Sequence, residues 1–361
     1  MNFLIAAAGT GGHVFPALAV GEALVDLGVD QNSVLYVGGD RLEKDVFPAA
    51  GFPFVGLDVA GLKRSLAWRN LRLPAVVTRA SRSISRAISE RGIGAVLGMG
   101  GYVTVPASLA ARRARVPLYV AEQNAEAGLA NRICSRWARR AFASFPDTIG
   151  LARAAWVGNP IRVPLANFDR AALRPEARRH FDLPLDGTVV GVMGGSLGAA
   201  VLNRVARLLS ESHPGYSILS LAGSAHAGAL ENEATHSGSS WPSGFKWVVR
   251  GFEPRMDLFY AAVDVVVARA GGVVAEYLAT STPPILIPGG FGSGRHQIAN
   301  ARALERAGAA LVLDETEVER APAVVADALS RRAELTAAGA QLARPRAAHE
   351  IARAMLDGGP T

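Results

Sequence analysis

The sequence predicts an α/β protein of two doubly wound domains in tandem, each a parallel sheet with helices on both faces. Three observations carry this. Apolar runs short enough to be buried strands alternate with helical stretches almost from end to end. At 361 residues the chain exceeds the usual size of one core. A strand, glycine loop and helix at the start, Phe3–Ala8 into Gly9–Gly12, are echoed at Val189–Met193 into Gly194–Ala199.

In the first half the expected strands are Phe3–Ala8, Val34–Val37, Ala95–Met99, Leu118–Ala121 and Ala154–Val157. Helical patterns fall at Ala17–Leu27 and Thr104–Arg113. Gly158, Pro160 and Pro164 then cluster before a polar, charged stretch and mark a joint. The second half offers strands at Val189–Met193, Ser217–Ala222, Trp247–Arg250, Val263–Ala268 and Pro284–Ile287, with helices at Ala199–Leu209 and His296–Ala307. Ser224–Ser243, rich in Ser, Gly, Ala and Glu, reads as a surface loop. The expected domains are 1–162 and 163–342. Residues 343–361 hold a last helix, near Arg346–Leu356, free to pack back on the first domain.

Composition narrows the function classes. Half the residues are hydrophobic and 19% are charged, which excludes wholesale disorder. The single Cys134 excludes an intramolecular disulfide framework and a Cys-based zinc site, and suits a reducing compartment. No signal peptide is expected, because Met1–Ala8 lacks a basic segment and glycines break the apolar run. No stretch approaches the ~20 apolar residues of a spanning helix.

The net charge of +7 is lopsided: residues 1–162 hold 19 Lys/Arg against 11 Asp/Glu, and the rest hold 19 against 20. Much of the excess falls in Gly61–Arg91, where Lys63, Arg64, Arg69, Arg72, Arg79, Arg82, Arg86 and Arg91 are interleaved with Leu62, Leu66, Trp68, Leu71 and Val76. Basic and apolar side chains together suit an anionic bilayer surface; a solvated Arg-rich helix face is the plainer alternative. No nucleic-acid motif accompanies the charge.

Six motifs carry candidate chemistry. Gly9-Thr10-Gly11-Gly12-His13 offers backbone N–H groups at a helix start and a side chain able to move protons. Val14 stands where a dinucleotide fingerprint needs its last glycine, and Asp40 lies too far on for the ribose acid, so a Rossmann oxidoreductase is disfavoured. Gly98-Met99-Gly100-Gly101-Tyr102 repeats the strand-to-helix turn, and Glu122-Gln123-Asn124 sits at a strand's carboxyl end. Arg162 follows Gly158-Asn159-Pro160-Ile161 at the joint, where a guanidinium suits a pyrophosphate. Arg269-Ala270-Gly271-Gly272 leads to Glu276, a carboxylate placed for a ribose diol. His296, Gln297 and Asn300 open a later helix. Each of these, taken alone, is equally a plain turn, linker or helix start.

Their order and joint occurrence resemble the MurG family of glycosyltransferases, which move N-acetylglucosamine (GlcNAc) from UDP-GlcNAc to undecaprenyl-linked lipid I, giving lipid II for peptidoglycan. The motifs concerned are Gly-Thr-Gly-Gly-His-Val-Phe-Pro from Gly9, Gly-Met-Gly-Gly-Tyr-Val from Gly98, Glu-Gln-Asn from Glu122, Gly-Asn-Pro-Ile-Arg from Gly158, Gly-Gly-Ser-Leu-Gly-Ala from Gly194 and His-Gln-Ile-Ala-Asn-Ala from His296.

The resemblance implies a GT-B fold, two Rossmann-like domains facing across a cleft, in a peripheral enzyme on the cytoplasmic face of the cell membrane. It implies that Gly9, Gly11, Gly12, Gly100, Gly101 and Tyr102 cradle the acceptor diphosphate and that His13 is the general base, with Glu122 or His296 next in line. UDP-GlcNAc would be met by Thr10, Gly11, Gly12, Asn124, Arg162, Ser196, Glu276, Gln297 and Asn300, with uracil near Phe252, Glu253 and Met256. Lys63, Arg64, Trp68, Arg69, Arg72 and Arg79 would form the membrane patch. Cell-wall synthesis proteins are the possible partners. No cofactor and no metal are expected, because no Asp-x-Asp motif is present.

Departures from the family pattern fall at Ala121, where His is common, and in the donor half. There Arg269 to Glu276 spans seven residues rather than eight, Val273-Val274 replaces a turn threonine, and Arg295-His296 replaces an acid-containing pair. Transfer to another lipid or small-molecule acceptor, and a non-catalytic paralogue of the family, remain as alternatives.

Overall fold

The computed structural model describes residues 1–57, 73–195, 198–212, 215–237, 241, 244–289 and 294–358. Ser196 and five residues of the expected membrane patch, Lys63, Arg64, Trp68, Arg69 and Arg72, lie outside them. The chain divides into two compact units, Met1–Val163 with Arg344–Thr361, and Pro164–Ala343. Both joints fall one residue beyond the expected ones.

The described part of the first unit holds a seven-stranded parallel sheet: β1 (Asn2–Ala6), β2 (Val34–Gly38), β3 (Phe54–Gly56), β4 (Ile93–Gly98), β5 (Leu118–Glu122), β6 (Arg140–Ala143) and β7 (Ala154–Trp156). Its order is β3-β2-β1-β4-β5-β6-β7, with Ile5 of β1 level with Tyr36 and Leu97 on either side. Successive side chains of β1 enter opposite cores, which explains its unbroken apolar run. Phe3 and Ile5 pack with Val14, Leu18 and Leu24 of the helix Gly11–Asp26 and with Ile351 and Met355 of the helix Ala347–Asp357. Leu4 and Ala6 pack with Ala80, Ile84 and Ile88 of the helix Leu73–Glu90 and with Ala107 and Ala111 of Thr104–Ala114. Each fully buried Phe, Leu or Ile contributes about 1.5–3 kcal/mol. The end of the chain is tied to this sheet, since Arg139 Nη1 donates to the Gly358 carbonyl at 3.0 Å.

In the second unit β8 (Val189–Met193), β9 (Ser217–Leu221), β10 (Trp247–Arg250), β11 (Val265–Ala268), β12 (Pro284–Leu286) and β13 (Leu311–Val312) form a parallel sheet in the order β10-β9-β8-β11-β12-β13. Both sheets therefore reverse their winding beside their first strand, between β1 and β4 and between β8 and β11. Ligands of open α/β sheets bind outside the carboxyl ends of the strands at such switch points.

The opposite end of the second sheet is held by arginines. Asp264, 3% exposed, precedes β11. Its Oδ1 pairs with Arg174 Nη2 and Arg332 Nη1, each at 3.0 Å, and its Oδ2 pairs with Arg178 Nη2 at 3.3 Å and accepts from Val189 N at 2.9 Å. Arg178 is wholly buried, and desolvation pushes its guanidinium down to about 10, so it stays charged at neutral pH.

Three expectations are corrected. The stretch Ser224–Ser243 contains a helix, Ala227–Ser237, because Leu230 and Ala234, four apart, reach the core beside Tyr216 and Trp247. The first helix begins at Gly11 rather than Ala17: His13 N donates to Thr10 O at 3.0 Å, which brings the glycines and His13 into its first turn. The strands β3, β6 and β13 were not expected. They span three, four and two residues, too few to show a period.

Candidate active site

At the first switch point four loops converge, and two buried glutamates brace them, Glu43 joining the first two and Glu122 holding the loop after β5. Glu43, fully buried in the first turn of the helix Glu43–Ala49, accepts from Gly9 N (3.2 Å) in the loop after β1 and from Gly39 N (2.9 Å) in the loop after β2. The Tyr102 hydroxyl occupies the space that a side chain on Gly39 would need. Burial and the Glu43 charge push Tyr102 up to about 12, so its O–H is kept as a donor. Replacing Glu43 with Ala orphans two buried N–H groups and is expected to cost about 1–3 kcal/mol. Urea unfolding measures this, together with faster amide exchange at Gly9 and Gly39.

Glu122, 3% exposed at the end of β5, performs the same service on the other side. Its Oε1 accepts from Asn124 N (3.1 Å) and Asn124 Nδ2 (2.7 Å), and its Oε2 from Gly128 N (3.0 Å) and Asn131 Nδ2 (2.9 Å). A carboxylate accepting four hydrogen bonds is a clamp on the loop that follows it, and the Asn124 amide is turned to Glu122.

His13 lies beside the second glycine turn. A Cβ added at Gly100 (φ +91°) would sit 3.5 Å from His13 Cε1, and one at Gly101 (φ +74°) would sit 3.5 Å from His13 Cδ2 and 2.9 Å from Ala8 O. Positive φ favours glycine at both positions, and at Gly101 the approach of Ala8 O leaves no room for a side chain. The imidazole thus lies beside Gly100–Gly101, on the same first turn as the Gly11 and Gly12 amides, which have no intrahelical acceptor. Amides at a helix start suit an anion, and the adjacent imidazole suits a proton transfer. Arg162 is exposed near the end of this unit, and its charge partly offsets the burial that raises the Glu22 carboxyl above its ordinary range.

At the second switch point Gly194 and Gly195 follow β8, and Gly198 N donates to Gly195 O at 2.9 Å. Arg269, after β11, pairs with Glu315 and donates to Ile287 O at 2.9 Å. Glu276 lies in the helix Val274–Ala279, where its Oε2 accepts from the buried Tyr260 hydroxyl at 2.8 Å. Burial, then the Glu276 charge, hold Tyr260 well above its ordinary range, so it remains a donor and fixes the carboxylate. Gln297 Oε1 accepts from Gly289 N at 2.9 Å, which fixes the orientation of its amide. Phe252 is 57% exposed, while Glu253 beside it accepts from Arg255 N (2.7 Å) and meets His180 Nε2 (3.2 Å).

Both halves match known families. Residues 3–143 match the glycosyltransferase family 28 N-terminal domain, and residues 189–353 match the family 28 C-terminal domain. The chain belongs to glycosyltransferase family 28.

Among family 28 relatives, the UDP-N-acetylglucosamine--N-acetylmuramyl-(pentapeptide) pyrophosphoryl-undecaprenol N-acetylglucosamine transferase of Mycobacterium sp. (strain JLS) is 38% identical, over 99% of this chain and 95% of the relative. The transferase of the same name from Rhodococcus jostii is 36% identical, over 99% and 96%. The crystal structure of Acinetobacter baumannii MurG superposes with a TM-score of 0.76 at 27% identity, covering 99% of this chain and all of that one. Anabaena HepE, solved with UDP and glucose, shares the fold at a TM-score of 0.62 and 13% identity. The two Rossmann-like sheets are those of a GT-B glycosyltransferase.

Within this family 28 frame, Gly9–His13 and Gly100–Tyr102 come together at one switch point, and the residues around Gly194 and Arg269 flank the other. Asn300 is fully buried and donates to Ala270 O at 3.0 Å, beneath the Arg269–Gly272 turn. Glu43 and Tyr260 escaped the sequence reading. Neither belongs to a glycine motif, and a Glu opening a helix is ordinarily a solvated residue favoured by the helix dipole.

Proposed function

We propose that this chain is an inverting hexosyltransferase that moves GlcNAc from UDP-GlcNAc to lipid I, giving lipid II in peptidoglycan synthesis at the cytoplasmic face of the cell membrane. The observation that carries this is 38% identity to a transferase of that reaction along almost the whole of both chains, with His13 and two glycine turns at the switch point of the first sheet.

In this reading Gly9, Gly11, Gly12, Gly100, Gly101 and Tyr102 surround the acceptor diphosphate. Ser196, Glu276 and Gln297 take the donor, with Glu276 on the ribose hydroxyls. The acceptor hydroxyl gives its proton to a ring nitrogen of His13. Its oxygen bonds to the donor's anomeric carbon as the bond to UDP breaks, and UDP leaves with the electron pair. N–H groups at the helix starts stabilise the charge that the diphosphates carry. Incubation of the folded protein with UDP-GlcNAc and a lipid I analogue is expected to give lipid II and UDP in equal amounts; neither product with well-folded protein would sink the reading.

A lipid-borne acceptor fits the basic first half. Among the described residues no helix is long and apolar enough to cross a membrane. Arg79, Arg82 and Arg86 stand on the exposed side of the helix Leu73–Glu90, whose Ala80, Ile84 and Ile88 face the core. Basic residues near an anionic surface contribute about 1 kcal/mol each, so changing Arg69, Arg72 and Arg79 to Glu is expected to weaken vesicle binding by at least ~100-fold. Co-sedimentation with phosphatidylglycerol vesicles at low salt measures it, and undiminished binding removes this patch from the membrane contact.

A further inference from the structure

Two carboxamides beneath the Gly100 turn are left half satisfied. Gln123 Nε2 and Asn131 Nδ2 both donate to the Ala121 carbonyl, at 3.1 and 3.0 Å, and Asn131 Nδ2 also donates to Glu122 Oε2. With acceptors on that side, the orientation of both amides is fixed: nitrogen toward Ala121, oxygen away. Among the described residues Gln123 Oε1 and Asn131 Oδ1 have no hydrogen-bond partner, although each residue is only 1% exposed. Buried acceptors are ordinarily paired, so an unpaired one calls for a reason, and the location of Gln123 Oε1 bears on it. The point where a Cβ on Gly100 would sit lies 3.5 Å from Gln123 Oε1, 3.3 Å from Asn131 Nδ2 and 3.5 Å from His13 Cε1. The amide groups and the imidazole thus converge on one spot.

We infer that Gln123 is a positioning residue that stabilises the imidazolium His13 becomes on taking the acceptor proton. The partial negative charge of a fixed amide oxygen favours the charged ring, and burial enlarges the effect and spares reorganisation during the reaction. The unpaired oxygen is thus a resting-state cost that is offset when the ring becomes positive. Among the described residues, the other titratable groups around this turn are Glu43 from its helix, Tyr102 with its neighbours Asp40 and Arg41, and Glu122 beneath Asn131. The inference rests on His13 as the base, and its test reads His13 directly.

The test is an NMR titration of the full chain carrying 13Cε1-labelled histidine, with the His13 signal assigned by its loss in His13→Gln. Gln123→Met removes the oxygen and is expected to lower the His13 pKa by about half to one unit. Gln123→Glu places a carboxylate there and is expected to raise it. Opposite shifts support the inference. No shift, or shifts in the same direction, as general loosening of the turn would give, overturn it. If Gln123→Met does not fold, the upward shift in Gln123→Glu still decides. The rising limb of kcat against pH is expected to follow each shift. A limb that stays put while the His13 signal moves both ways counts against His13 as the base and leaves its coupling to Gln123 standing.

Discussion

His13→Ala is expected to lower kcat by roughly 10²–10⁴-fold, the usual loss on removing a general base. KM for UDP-GlcNAc should change little, because the donor contacts proposed for the second unit do not involve this side chain. Gly100 and Gly101 both have positive φ, Gly101 is approached by Ala8 O, and Glu43 holds the Gly9 turn. Steady-state kinetics with a lipid I analogue decides the matter. An unchanged kcat moves the base elsewhere, with Glu122 or His296 the next to replace.

The other large effect is on stability. Among the described residues, Asp264→Ala leaves Arg178, wholly buried, hydrogen-bonded to the Pro184 and Gly187 carbonyls with the Asp186 charge as the remaining counter-charge, and also orphans Val189 N. Breaking a buried ion pair by removing one partner costs about 3–5 kcal/mol, because the remaining charge stays desolvated. For a unit of this size the unfolding temperature should fall by roughly 10 °C. Calorimetry of the wild type and the variant measures it; a loss under about 1 kcal/mol would mean that Arg178 finds water or another acceptor. The cluster sits at the start of β8 and β11, whereas the glycine loops follow their ends. Activity of the still-folded fraction should therefore be close to normal.

Sequence and structure divide these results along a physical line. Apolar strands such as Phe3–Ala6 and Val189–Met193 are legible because burial on both faces demands an unbroken hydrophobic run. The glycine turns are legible because a tight strand-to-helix passage needs them. Strands of two to four residues are not, nor is the helix Ala227–Ser237, whose two core contacts leave no visible period. His13 was readable as a residue type in a motif. That it stands on a helix's first turn against Gly100, and not in a free loop, comes from the fold.

The sequence by itself determined the α/β class, the tandem arrangement, the glycine loops and the family resemblance, all of which are local patterns or the order of local patterns. Only the tertiary structure decided that Glu43 and Glu122 are clamps, that Asn300 is buried beneath its turn, that Asp264 neutralises a buried arginine, and that Gln123 and His13 both border Gly100. Each of these depends on contacts between residues far apart in the chain or on what burial removes from water, and neither is written in the spacing of residues along a strand or a helix.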